Sequence, residues 1–148
     1  MPHSHGQLLF HCVFSTRERR ELLTAQVRES LYPYMASIMD QAKGHVLRVG
    51  GTKDHVHLLL RLATDTSVAE AMRLIKANSS RWLNRRFGAP GPFRWQEGFG
   101  AFTVSWSAME DVCAYIDGQE AHHRRQSTRD ELRRLLGLHG VEYDARFL

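Results

Sequence analysis

Hydrophobic and polar positions along this 148-residue chain repeat with two different periods. Leu8 to Phe14 is a short apolar run with Cys and aromatic residues, which predicts a first strand. A polar, basic turn follows from Ser15 to Arg20. From Thr24 the period lengthens: Val27, Leu31, Tyr34, Ile38 and Ala42 recur at helical spacing, and Gly44 closes the segment. Pro33 lies inside it and is expected to kink or break the helix near Glu29 to Tyr32. His45 to Val49 reads as a second strand, Gly50 to Asp54 as a turn, and His55 to Leu60 as a third strand, together a β-hairpin. Ser67 and Glu70 form a capping box opening a helix whose stripe is Val68, Met72, Ile75, Ser79 and Trp82; Gly88 ends it. Ala89 to Pro92 reads as a loop, Phe93 to Gly100 as an ordered aromatic loop, and Ala101 to Ser105 as a fourth strand. Ser107 and Glu110 make a second capping box, predicting a third helix to about Gln119. A basic segment from His122 leads to a short helix near Thr128 to Leu136 and a tail from Gly137.

The order β-α-β-β-α-β-α predicts an α+β protein. Its first six elements match a ferredoxin-like (RRM-like) split β-α-β: an antiparallel sheet with two helices on one face. The length suits a single domain over 1–148, with a core over 7–125 and a C-terminal helix and tail over 126–148. The other face of the sheet is expected to be free, and alternation along the third strand puts His55 and His57 on it.

Hydrophobic residues are 43% of the chain and charged ones 24%, as in soluble globular domains. Cys12 and Cys113 lie in apolar patterns outside any CxxC and read as buried free thiols, which suits a reducing cytoplasm. No signal-peptide core or membrane-length apolar run is visible, and His3 and His5 read as a frayed terminus. The net charge of +4 permits an anionic partner without requiring one. Basic residues gather at Arg73, Lys76, Arg81, Arg85, Arg86 and Arg94 and again at Arg124, Arg125 and Arg129. Aromatics interleave with them, Trp95 among them. Singly, each is a solvated helix face or a core ring. Together they resemble a single-stranded nucleic-acid surface, with Lys76, Arg81, Arg85, Arg86, Arg94, Trp95 and Arg124 as candidate contacts.

Two histidines alternating on a strand have a plain structural reading: one packed in the core, the other at the surface. As a pair they suggest a metal, and imidazole by itself favours zinc, copper, iron or nickel over magnesium. A histidine-triad hydrolase would need another histidine at the next alternate position, which is Leu59. Gln119 offers a carbonyl oxygen as third ligand. Tyr115 and Gln119 are at i and i+4, hence one turn apart on one helix flank. Read singly, the tyrosine is an edge-of-core residue and the glutamine a solvated one.

At this point the chain resembles the single-tyrosine HUH transposases, the transposases of small insertion sequences and their REP-associated relatives, from about Gln7 to Leu148. The resemblance rests on an ordered set of segments. They are Cys12-Val13-Phe14-Ser15-Thr16-Arg17, Asp54-His55-Val56-His57-Leu58-Leu59 and Lys76-Ala77-Asn78-Ser79-Ser80, then Trp95-Gln96-Glu97-Gly98-Phe99-Gly100 running on to Ser105, and finally Tyr115-Ile116-Asp117-Gly118-Gln119 running on to Arg124. It implies a ferredoxin-like catalytic domain, usually a homodimer, and magnesium or manganese held by His55, His57 and Gln119. It also implies Tyr115 as nucleophile, and single-stranded DNA with hairpin-forming element ends as partner. Phe99 stands where the family commonly has tyrosine, and Gly118 where it commonly has asparagine; the glycine loosens the helix between Tyr115 and Gln119. The expected activity is cleavage and rejoining of single-stranded DNA through a 5′-phosphotyrosine intermediate. Two alternatives are a non-catalytic single-stranded nucleic-acid-binding module of the same fold, and an HUH nickase of relaxase or replication-initiator type, whose chain would usually be longer.

Overall fold

Alternation along the strands decides which layer each side chain joins. The computed structural model describes residues 4–88 and 92–148. His3 and most of the loop expected at Ala89 to Pro92 lie outside the described residues. The elements are β1 (Leu8–Ser15), α1 (Ala25–Gln41), β2 (His45–Gly51), β3 (His55–Leu62), α2 (Val68–Arg86), β4 (Gly100–Val104), α3 (Met109–Asp117), α4 (Gln119–His122) and α5 (Thr128–Leu138). The four strands form one antiparallel sheet in the order β2-β3-β1-β4, the ferredoxin-like arrangement. Cys12, Phe14, Val56, Leu58, Leu60 and Leu62 point to one face and are buried against Leu31, Met35 and Met39 of α1 and Met72 and Ile75 of α2. Among the described residues, no helix is long and apolar enough to cross a membrane.

The reverse face is not free as expected. Its side chains are largely apolar, and α3 and α5 cover them along two seams. Leu9 and Leu59 pack under Ile116 of α3; Val13 and Phe102 pack under Leu135 and Leu136 of α5. His55 and His57, between these seams, are fully buried.

Local signals held unevenly. Thr24 caps α1 by accepting from the Val27 amide, and Ser67 caps α2 by accepting from the Glu70 amide. Pro33 does not break α1, which runs unbroken from Ala25 to Gln41. The proline is exposed, so the Glu29 carbonyl it leaves unpaired is open to water, while buried Leu31, Met35 and Ile38 hold both halves of the helix to the core. The capping box at Ser107 does not form either. Trp106–Ala108 makes a 3-10 turn, the Ser107 hydroxyl is hydrogen-bonded to Ser105 at 3.0 Å, and α3 begins at Met109. The third helix splits at Gly118 into α3 and α4.

Gly50 fixes where α3 sits. It pairs with His57 across the β2–β3 hairpin and faces the histidine side. A Cβ there would lie 2.5 Å from the Ile116 carbonyl oxygen, so only glycine lets the helix backbone come this close. We expect Gly50→Ala to displace α3 and cost about 1–3 kcal/mol, read as a lower urea midpoint. Gly118→Ala is the tolerant control, since a Cβ at that position meets nothing closer than 3.5 Å.

Candidate active site

The buried histidines are oriented from behind. His55 Nδ1 lies 2.8 Å from Asp54 Oδ1 and 3.0 Å from the Thr52 hydroxyl. The Thr128 hydroxyl donates to Asp54 Oδ1 at 2.9 Å and steadies that carboxylate. His57 Nδ1 is hydrogen-bonded to His11 Nε2 at 2.7 Å, and the two rings stack. His11 is the diagonal neighbour, because the register sets His57 opposite Val13. With both Nδ1 atoms engaged, both Nε2 atoms point into the same space, as ligating histidines are held by outer partners.

Glu131 of α5 enters that space. Its Oε1 lies 3.0 Å from His57 Nε2, 3.4 Å from His55 Nε2 and 2.9 Å from His123 Nε2. Its Oε2 accepts from Gln119 Nε2 at 2.9 Å and from the Tyr115 hydroxyl. Gln119 turns its Oε1 to within 3.0 Å of His55 Nε2. The break at Gly118 therefore does not keep Tyr115 and Gln119 apart from the histidines. Tyr115 lies edge-on to His57 of its own chain at 5.8 Å between ring centres, and its oxygen also accepts from Arg134 Nη2 at 2.9 Å.

Electrostatics follow from this packing. Burial alone would lower His55, but hydrogen bonds to Asp54, Glu131 and Gln119 outweigh it and lift the imidazole to about 9. His57 and His11 go the other way, both through burial; His11 falls to about 3, with His57 adding to the effect. Burial would raise Glu131, yet hydrogen bonds from His123, His55 and His57 hold its carboxyl far below the usual carboxylate range. Burial, with Glu131 beside it, pushes the Tyr115 phenol up, while Arg134 pulls it down.

The other expected contacts are scattered. Trp95 is buried: its indole N–H donates to Ser79 at 2.9 Å and its ring packs edge-on against Phe14 and Phe93, so no face is open to a base. The Lys76 ammonium donates to the Gln96 and Gly98 carbonyls, each at 2.7 Å, and fastens that loop. Arg81, Arg85 and Arg86 are exposed on α2, in the layer on the far side of the sheet from the histidines; Arg94 is also exposed. Arg124 does lie near the site, in an open groove it lines with Arg19, Arg28, Lys53 and Arg129 beside His123.

Sequence reasoning missed Glu131, Arg134 and the outer partner His11, and quoted Asp54 and His123 only within longer segments. Glu131 did carry a signal. Thr128, Glu131 and Leu135 share the buried stripe of α5, so a carboxylate stands at a core position.

The sequence profile of the family described as "Transposase IS200 like" matches residues 4–119. The ISDra2 transposase TnpA of Deinococcus radiodurans is 25% identical over 121 residues, covering 76% of this chain and 84% of that protein. Two solved structures share the fold. One, from Deinococcus radiodurans R1 and assigned as a transposase, has a TM-score of 0.64 at 22% identity and covers 79% of this chain and 94% of its own. The other, a REP-associated tyrosine transposase bound to a REP hairpin, has a TM-score of 0.61 at 15% identity and covers 82% of this chain and 73% of its own. With the profile spanning most of the chain, and both the fold and the histidine–tyrosine cluster in place, the protein belongs to the IS200-like, single-tyrosine transposase family.

Proposed function

We propose that this transposase cuts and rejoins single-stranded DNA through Tyr115, at a divalent metal, magnesium or manganese, held by His55, His57 and Gln119. One observation carries the reading: a single carboxylate separates the Tyr115 hydroxyl from two histidine Nε2 atoms that converge with the Gln119 carbonyl. The donors are buried, oriented and of the type that divalent cations take. Bound there, the metal supplies Lewis-acid polarisation of a phosphate oxygen.

The chain's own residues account for the rest. Tyr115 Oη attacks the scissile phosphorus and the bond to the 3′ oxygen breaks. The phenolic proton, hydrogen-bonded to Glu131 Oε2 before attack, is lost to the solvent as the new bond forms, and the departing 3′ oxygen takes up a proton from the solvent. The products are a 5′-phosphotyrosine and a free 3′ hydroxyl; attack by a 3′ hydroxyl reverses the step and joins strands without an external energy source. The groove beside His123, where Arg19, Arg28, Lys53, Arg124 and Arg129 outnumber Glu21, Asp54 and Glu120, supports a route for the strand to the site, with Arg28 already paired to Glu120 at 2.7 Å. Hairpin-ended DNA as partner is supported by the family and by the hairpin bound by the REP-associated relative. A homodimer and a cytoplasmic location complete the reading; sedimentation tests the first and cell fractionation the second.

The decisive experiment incubates the protein with single-stranded DNA carrying hairpin ends, with manganese or magnesium and with chelator. We expect a covalent protein–DNA adduct that chelator prevents and that peptide mapping places at Tyr115. DNA binding without adduct on any such substrate overturns the reading in favour of a non-catalytic binding module. Arg134 donates to the nucleophile's oxygen and stabilises the charge that develops on it as the proton leaves. Arg134→Ala is expected to slow adduct formation by about 10–100-fold, the worth of one hydrogen bond to a charged group. Single-turnover rates measure it.

A further inference from the structure

We infer that His123 and Glu131 complete the metal site as two further ligands, making it a histidine-rich centre selective for a first-row transition cation such as Mn2+ over Mg2+. This rests on the proposed role of His55 and His57.

The first argument is convergence. Glu131 Oε1 is hydrogen-bonded to His57 Nε2 at 3.0 Å and to His123 Nε2 at 2.9 Å, and His55 Nε2, paired with the Gln119 oxygen at 3.0 Å, stands 3.4 Å from the same atom. The same spacing suits coordination. Donors at metal–nitrogen and metal–oxygen distances of roughly 2.0–2.2 Å stand roughly 2.9 Å apart around an octahedral ion and 3.4 Å apart around a tetrahedral one. The four residues present ligand atoms that all lie within 4.8 Å of one another. The Gln119 oxygen, 3.0 Å from His55 Nε2, falls in the same range.

The second argument is burial. Glu131 is 1% exposed and His55 and His57 are 0% exposed. A cation in their midst offsets the desolvation of the carboxylate and lets all three imidazoles be neutral. Three nitrogen donors and one carboxylate form a set that Mg2+, which prefers oxygen and retained water, takes poorly. Counting Gln119, five donors would hold the ion. Glu131 can serve the ion through Oε1 while Oε2 keeps the hydrogen bond from Tyr115.

The test is direct metal binding, without DNA. Titration calorimetry of the chelator-stripped protein should show Mn2+ bound at least about 100-fold more tightly than Mg2+. Glu131→Gln and His123→Ala should each weaken Mn2+ by at least about tenfold. Electron spin-echo spectroscopy of Mn2+ in the unaltered protein should resolve three coordinated nitrogens, and two in His123→Ala; the unaltered protein needs no variant to fold. Loss of Mn2+ binding in His55→Ala and His57→Ala, with wild-type affinity in both Glu131→Gln and His123→Ala and two nitrogens in the wild type, overturns this inference and leaves the histidine pair standing. Undiminished binding in His55→Ala and His57→Ala overturns the pair itself. Equal affinity for the two cations overturns the selectivity.

Discussion

Tyr115→Phe should abolish the covalent adduct with single-stranded DNA, lowering its rate by at least about 10³-fold, because the substitution deletes the proposed nucleophile and leaves no hydroxyl in its place. The substitution is clean. The ring is held by His57 at 5.8 Å, by His11 at 5.9 Å and by the Arg134 guanidinium 5.6 Å from its centre, and phenylalanine keeps all three contacts. Only the oxygen is lost, with its bonds to Glu131 and Arg134. Glu131 keeps its histidine and Gln119 partners, so stability should change by only about 1 kcal/mol. Denaturing gels measure the adduct and fluorescence anisotropy measures DNA binding, which should persist. An adduct of wild-type intensity would show that another residue attacks.

His55→Ala and His57→Ala should each remove metal-dependent cleavage, with a loss of roughly 10³-fold for a missing ligand and Lewis acid. These variants differ from Tyr115→Phe in their effect on the fold. Each strips a buried partner from the Glu131 carboxylate, and breaking a buried pair costs about 3–5 kcal/mol. The cleavage assay therefore belongs well below the lowered melting temperature, with the melt recorded alongside. Chelation of the wild type should reproduce the loss without mutation, and added Mn2+ should restore activity to the wild type alone. Cleavage that survives in the folded double variant would remove the histidines from the chemistry.

Much of this was legible in the sequence because it depends on periods. The apolar run of Leu8 to Phe14, the alternation of side chains along His55 to Leu60, and helical spacing around Leu31 and Ile75 set the layers and put both histidines on one face. The i, i+4 spacing of Tyr115 and Gln119 likewise survives as neighbourhood, even though Gly118 ends one helix between them. What was not legible depends on contacts between distant segments. Glu131 sits in a charged Asp-Glu-Leu-Arg-Arg run; its spacing with Thr128 and Leu135 marks an inward position, but which residues it meets there is decided by the packing of α5 across β1. Trp95 looks like a stacking platform beside Arg94, yet its place is decided by Phe14, Phe93 and Ser79. Pro33 and Ser107 show local preference yielding to tertiary anchors on either side.

The two apolar seams on the histidine face make this a protein of unequal local stability. β3 is hydrogen-bonded to strands on both edges and buried at every residue from His55 to Leu60. Its amides, and those of β1, should exchange with solvent only when the whole domain unfolds. α5 rests on a small cluster under Leu135 and Leu136, and its amides should exchange through a partial opening of much lower free energy. His55 and His57 belong to the first unit and Glu131 to the second. Opening of the second unit alone would take the centre apart on a sheet that stays folded, and for the proposed DNA substrate it would be a way into a site whose histidines are shut off from water.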